Sequence, residues 1–142
     1  MTEQNLLSEH EVYDDQRQLE DGELQEVELE IYTQSWDGGQ SKNVDIRARE
    51  DNGTRGLKVG EYIDVVKEFP ETIETHSTPK YSLHKATVNY KGEEVQITMY
   101  GNDARRFNEA GGEGDTVRIR KRKIWDEANE RGYSRYEFVK QD

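Results

Sequence analysis

The stretch from 82 to 101, SLHKATVNYKGEEVQITMYG, leaves this chain few choices of fold. Two runs suited to strands flank Lys91-Gly92, and the second run alternates strictly. Val95, Ile97 and Met99 fall on one face, and Gln96, Thr98 and Tyr100 on the other. A period of two belongs to a strand with one face buried, and a glycine-bearing pair between two such runs is a hairpin turn. The architecture is therefore built around a β-hairpin.

The neighbouring segments extend it. GEYIDVVKEF (60–69) reads as a preceding strand ended by Pro70, and ETIETHSTPKY as a polar loop. NDARRFNEA (102–110) reads as a short helix with Asn102 as its N-cap and with Ala104 and Phe107 on one face. TVRIRKRKIW (116–125) is a fourth strand, DEANERG a loop, and YSRYEFVK (133–140) a fifth strand. Strand, strand, strand, helix, strand, strand over residues 57–142 is the order of an OB-fold. That is a mainly β, five-stranded Greek-key barrel with one short helix between strands 3 and 4 plugging an end. Phe107 is the expected plug, and Tyr136 and Phe138 are expected in the core.

Upstream, VELEIYTQSW alternates Val27, Leu29 and Ile31 against glutamates, and NVDIRARE sets Val44, Ile46 and Ala48 on one face. The glycines of DGGQSK lie between them. Residues 27–56 are thus expected to form an extra β-hairpin and its connector EDNGTRG, with Trp36 either stapling the hairpin or meeting a ligand. Residues 1–26 are polar, acidic and poor in apolar groups, and read as a flexible tail that cannot offset its own ordering entropy. Of the formal net charge of -11, residues 1–30 account for -10, eleven acids against Arg17. The remainder is nearly balanced, and its positive charge is clustered. An acidic tail beside a basic surface is expected to compete for it with anionic ligands, or to recruit replication or repair proteins.

Several classes drop out. The absence of cysteine removes disulfides, thiolate-bound zinc and thiol nucleophiles. No apolar run approaches the roughly 20 residues of a membrane span, and the start MTEQNLLSEHE has no leader pattern. His10, His76 and His84 are scattered without metal spacing, and no nucleophile motif, P-loop or dinucleotide fingerprint occurs. The expectation is a binding protein, not an enzyme, with no metal, cofactor or membrane partner, in a prokaryotic or viral cytoplasmic setting near the nucleoid.

KATVNYKGEEVQITMYGNDARRF, followed by GDTVRI, resembles the single-stranded-DNA-binding OB domains of replication protein A and the related archaeal proteins. Gly92, the series Val95, Ile97 and Met99, the pair Tyr100-Gly101, then Asp103, Ala104, Phe107, Gly114 and Asp115 carry the likeness. It covers residues 60–142. The resemblance implies that Tyr100 stands where the family's strand-three aromatic stacks on a base, and that Trp125 stands near a second stacking position. The chain departs from the family in having one OB unit, no zinc-binding cysteines and an acidic N-terminus.

The residues support the same site independently. With Val95, Ile97 and Met99 inward, Tyr100 points out. With Val117 and Ile119 inward, Arg118, Arg120 and Arg122 are expected outside in a row, and Lys121 and Lys123 at a bulge or barrel edge. Single-stranded nucleic acid needs cations along its phosphates and aromatic faces under its bases. Arg118, Arg120, Lys121, Arg122 and Lys123 beside Trp125 supply both, and Lys80, Tyr81, His84 and Lys85 are candidates for the opposite wall. A basic run is also compatible with a merely solvated strand face or a nuclear localisation signal, and Tyr100 with a surface tyrosine. The expected function is capture of single-stranded DNA without strong sequence preference in replication, repair or recombination. Single-stranded RNA binding and a protein-interaction adaptor are the alternatives.

Overall fold

A computed structural model describes residues 24–47 and 56–142, with Trp125 described by its backbone alone. The expected tail over 1–23, and Ala48 with most of the connector, lie outside the described residues. Among these residues the protein is mainly β. Its strands are β1 (Gln25–Glu26), β2 (Ile31–Trp36), β3 (Gly39–Val44), β4 (Glu61–Lys67), β5 (Ile73–Ser77), β6 (Ser82–Tyr90), β7 (Glu93–Tyr100), β8 (Thr116–Asp126) and β9 (Arg131–Gln141). Among the described residues one helix, α1 (Gly101–Glu109), separates β7 from β8.

The strands follow the order β2-β3-β7-β6-β4-β8-β9, with β1 on β4 and β5 on β6. This sheet is not closed. The path ends on β2 at one side and β9 at the other, and among the described residues β1 and β5 are added to the five strands and the extra hairpin expected. The central hairpin forms where the alternation requires it, β6 against β7 from Leu83↔Tyr100 to Tyr90↔Glu93. Its turn places Lys91 at φ 54 and Gly92 at φ 84, two left-handed residues in succession, which matches the twist of the flanking strands.

The hairpin of β2 and β3 turns at Asp37 and Gly38, the latter at φ 96. Trp36 covers its cross-strand partner: a Cβ on Gly39 would lie 3.0 Å from the indole. The hairpin joins the main sheet through a parallel pairing of β3 with β7 at Asn43↔Gln96. Leu29, Val44, Ile46 and Leu57 accordingly share one core with Val65, Val95, Ile97, Val117 and Ile119.

Three local expectations are corrected. The loop expected over ETIETHSTPKY contains β5, an edge strand whose five residues are all exposed. Its turn into β6 is tied by Thr78, whose hydroxyl accepts from the backbone N–H groups of Lys80 and Tyr81. The helix begins at Gly101, one residue early, so Asn102 is not its cap, and Tyr100 fills the cap position without a side-chain bond. Gln25 and Glu26, assigned to the tail, form β1 because the N–H of Gln25 reaches Gly60 and that of Val27 reaches Tyr62.

The far end of α1 is finished by a lysine. Lys67 is buried, and its Nζ donates to the carbonyls of Phe107, in the last turn of the helix, at 3.0 Å and of Gly111, just beyond it, at 2.7 Å. Burial pushes the pKa of this ammonium down, against the pull of Asp115 and Glu71. Ala104 and Phe107 face inward, and the Phe107 ring meets Phe138 edge-on at 5.8 Å. Across the open side of the sheet, the Tyr136 hydroxyl on β9 donates to the carbonyl of Ile46, just past β3, at 2.9 Å.

Candidate functional site

The register of β8 decides which of its cations are available. Val117 and Ile119 face the core, so Lys121 continues the inward row. The ladder of β4 against β8, however, stops at Tyr62↔Arg120. Beyond it β8 and β9 run on as a two-stranded arm, paired without interruption to Asp126↔Arg131, so no bulge occurs at 121–123. Lys121 therefore leaves the core and enters a groove, where its Nζ lies 5.6 Å from the centre of the Tyr136 ring.

This groove, of about 820 Å³, collects side chains from both walls. The β5–β6 turn brings Lys80 and Tyr81. The end of β7 brings Tyr100, and α1 brings Asp103, Arg105 and Arg106. The arm adds Lys121, Arg135 and Tyr136, and Arg47 comes from the segment after β3. Tyr100 and Tyr81 are 40% and 45% exposed and pack edge to face, with ring centres 5.6 Å apart. The Arg47 guanidinium lies 4.1 Å above the Tyr100 ring, a cation–π contact that fixes the tyrosine's orientation.

His84 sits below them. Its Nε2 shares a hydrogen bond with the Ser82 hydroxyl at 3.1 Å, and its Nδ1 one with Thr72 at 3.4 Å. Gly101 suits this packing, because a Cβ there would stand 2.5 Å from the Ser82 hydroxyl oxygen and would turn that hydroxyl away from His84. Burial raises the pKa of Asp103, although Arg106, at 3.3 Å, and Arg47 oppose the shift. Burial likewise pushes the Tyr136 phenol up to about 12.

Of the residues expected at the site, the structure brings Lys80, Tyr81, His84, Tyr100 and Lys121 into this groove. Lys85 lies on β6 between Ile73 and Thr98 and does not line it. The arginine row is corrected. Arg118, Arg120 and Arg122 do share one face, but that face carries carboxylates from both neighbouring strands. Arg118 forks onto Asp64 at 2.9 and 3.1 Å and stacks 4.0 Å over Tyr62. Arg120 and Arg122 are buried and converge on Glu137, at 3.3 and 2.8 Å. Burial alone would favour the neutral acid at Glu137, yet the bonds and charges of Arg122, Arg135 and Arg120 hold its carboxyl below the ordinary 4.5. Lys123 is exposed opposite Ser134 and is engaged in its own interaction. The backbone of Trp125 lies on the arm opposite Gly132, and its side chain is outside the described set.

Four groove cations escaped the sequence reading: Arg47, Arg105, Arg106 and Arg135. Arg105 and Arg106 follow Tyr100-Gly101 by a few residues, and a helix starting at Gly101 turns that spacing into proximity. Arg47 is brought in by the pairing of β3 with β7 and by the bonds that Leu57 and Tyr136 donate to the carbonyl of Ile46. Among the described residues no three His, Asp or Glu side chains gather as a metal site, and no helix is long and apolar enough to cross a membrane. No protein-family model, curated protein or solved structure matches this chain.

Proposed function

We propose that this protein binds single-stranded DNA, without strong sequence preference, in the groove between the Tyr81–Tyr100 pair and the β8–β9 arm. The observation that carries the reading is the groove's lining. Arg47, Lys80, Arg105, Arg106, Lys121 and Arg135 surround two exposed tyrosines, and among the described lining residues Asp103 is the only carboxylate. In a chain of net charge -11 such a concentration of cations needs a reason, and a phosphate backbone with unstacked bases supplies one. Flexible single strands suit a groove of this kind, because each base offers a face to a tyrosine while its phosphates meet the cations.

The strand order β7-β6-β4-β8-β9, with α1 between β7 and β8, supports an OB-type arrangement to which β2–β3 and β5 are additions. A role in replication, repair or recombination follows from the ligand class. The test is a fluorescence-anisotropy titration of the full chain with labelled oligo-dT, oligo-rU of equal length and a duplex. The proposal expects dT to bind at least as tightly as rU and far more tightly than duplex. Tighter binding of rU would reassign the ligand to RNA. Equal binding of duplex, or no binding of any, would overturn the reading.

A further inference from the structure

The groove continues past the tyrosines. A second cavity, of about 300 Å³, lies between α1 and β9, and it shares Arg106 and Arg135 with the first. These two arginines stand at the junction, one from the helix and one from the strand.

Arg135 is the odd member of its cluster. Three guanidiniums converge on Glu137. The side chains of Arg122 and Arg120 are 6% and 10% exposed, whereas that of Arg135 is 39% exposed and touches the carboxylate through Nη2 alone, at 3.3 Å. Its Nε is buried and has no hydrogen-bond partner, the only such side-chain atom found among the described residues. A buried N–H without an acceptor is costly, and one retained in a native structure calls for an explanation, a functional role or a bound ion among them. Arg106 is likewise only partly committed: its Nη1 meets Asp103 at 3.3 Å, and its side chain is one-third exposed.

We propose that Arg135, assisted by Arg106, is a phosphate-binding clamp at the junction of the two cavities. This rests on the reading of the groove as a single-strand site and assigns the path within it. A bound strand runs from the Tyr81–Tyr100 pair to the junction, where a phosphodiester oxygen draws the Arg135 guanidinium off its one bond to Glu137 and accepts from the Nε–H so uncovered, in the side-on geometry that guanidinium favours. The smaller cavity beyond is lined by Ala110 and Phe138 and flanked by Glu109 and Glu137. It suits the sugar or base that follows and disfavours a second phosphate.

The Nε–H of arginine is directly visible in a proton–nitrogen correlation spectrum, and Arg135→Lys identifies the signal by deleting it. On titrating the labelled full chain with an oligo-dT of about eight nucleotides, within the span of one OB-type site, the Arg135 Nε–H signal is expected to shift and its exchange with water to slow. Arg135→Ala should weaken binding about tenfold and flatten its salt slope by about 0.7, one phosphate contact on a single strand. Arg135→Lys keeps the charge and loses the Nε donor, so it should retain the slope while binding severalfold more weakly. An Nε–H signal unmoved at saturation, or a wild-type slope in Arg135→Ala, would overturn the clamp. If Arg135→Ala fails to fold, the wild-type titration decides alone. Tyr100→Ala separates the two claims: weaker binding there with an unmoved Arg135 signal removes only the clamp, whereas no oligonucleotide binding by the wild-type chain removes the whole reading.

Discussion

Two sets of cations in this protein, interleaved along β8, have opposite fates. Arg118, Arg120 and Arg122 stand beside Asp64 and Glu137 and spend their charge inside the sheet. Lys121 lies between them in sequence yet faces Tyr136 in the groove, among arginines that come from other elements. Whether a basic residue can serve a ligand is decided by the carboxylates on the neighbouring strands, not by the density of basic residues along its own. One peptide unit separates a structural cation from an available one.

The contrast is sharpest in stability. Arg122→Ala should lower the unfolding free energy by about 3 kcal/mol, as expected when one partner of a buried ion pair is removed, and should leave the salt dependence of oligo-dT binding unchanged. Urea unfolding and a binding series over salt concentration check both halves. A stable Arg122→Ala protein with a flattened slope would erase the distinction between the two sets.

Next in size is the loss of a stacking face. Tyr100→Ala should weaken oligo-dT binding by about 1–3 kcal/mol with little change in salt slope, because stacking releases few ions. Full binding by Tyr100→Ala would leave the groove without its aromatic platform.

The cations themselves make a smaller but more diagnostic pair. Lys121→Ala should flatten the slope by about 0.7, whereas Arg118→Ala should not change it. The reverse result would return the ligand to the outer face.

The smallest expected effect concerns acid. The Glu137 carboxyl is held below its ordinary 4.5, so its contribution to stability is complete above that value and fades as pH falls through the lower value of the folded state. Glu137→Gln should therefore lose less stability than the wild type between about pH 6 and about pH 3, measured by urea unfolding at each pH. Parallel acid profiles would show that Glu137 is not the group linking the arginine cluster to pH.

Much of this was legible in the chain. The hairpin of β6 and β7 follows from Val95, Ile97 and Met99, because a period of two with one apolar face admits little else. The inward pair Val117 and Ile119 was equally plain. What escaped depends on partners distant in sequence. Asp64 and Glu137 look like any other acids in a chain that is 36% charged, and only the registers of β4 and β9 set them beside the arginines. β5 was hidden because both of its faces are exposed, so Ile73 to Ser77 carries no alternation to read. Arg47 reaches Tyr100 with the help of the parallel pairing of β3 with β7 at Asn43↔Gln96, a contact no local pattern announces.

The bond from the Tyr136 hydroxyl to the Ile46 carbonyl spans the side where the sheet fails to close. It contributes on the order of 1 kcal/mol, far less than a ladder of strand hydrogen bonds. Tyr136 also lines the groove, with Arg47 adjoining Ile46 across from it. In topological terms the molecule is a clasp, not a ring. The strand proposed as its ligand would then be laid in sideways at any point of its contour and need not be threaded from an end. On the proposed single-strand reading, a covalently closed circular strand should therefore load as fast as a linear one of equal length, and internal gaps in a long duplex should be bound as readily as frayed tails.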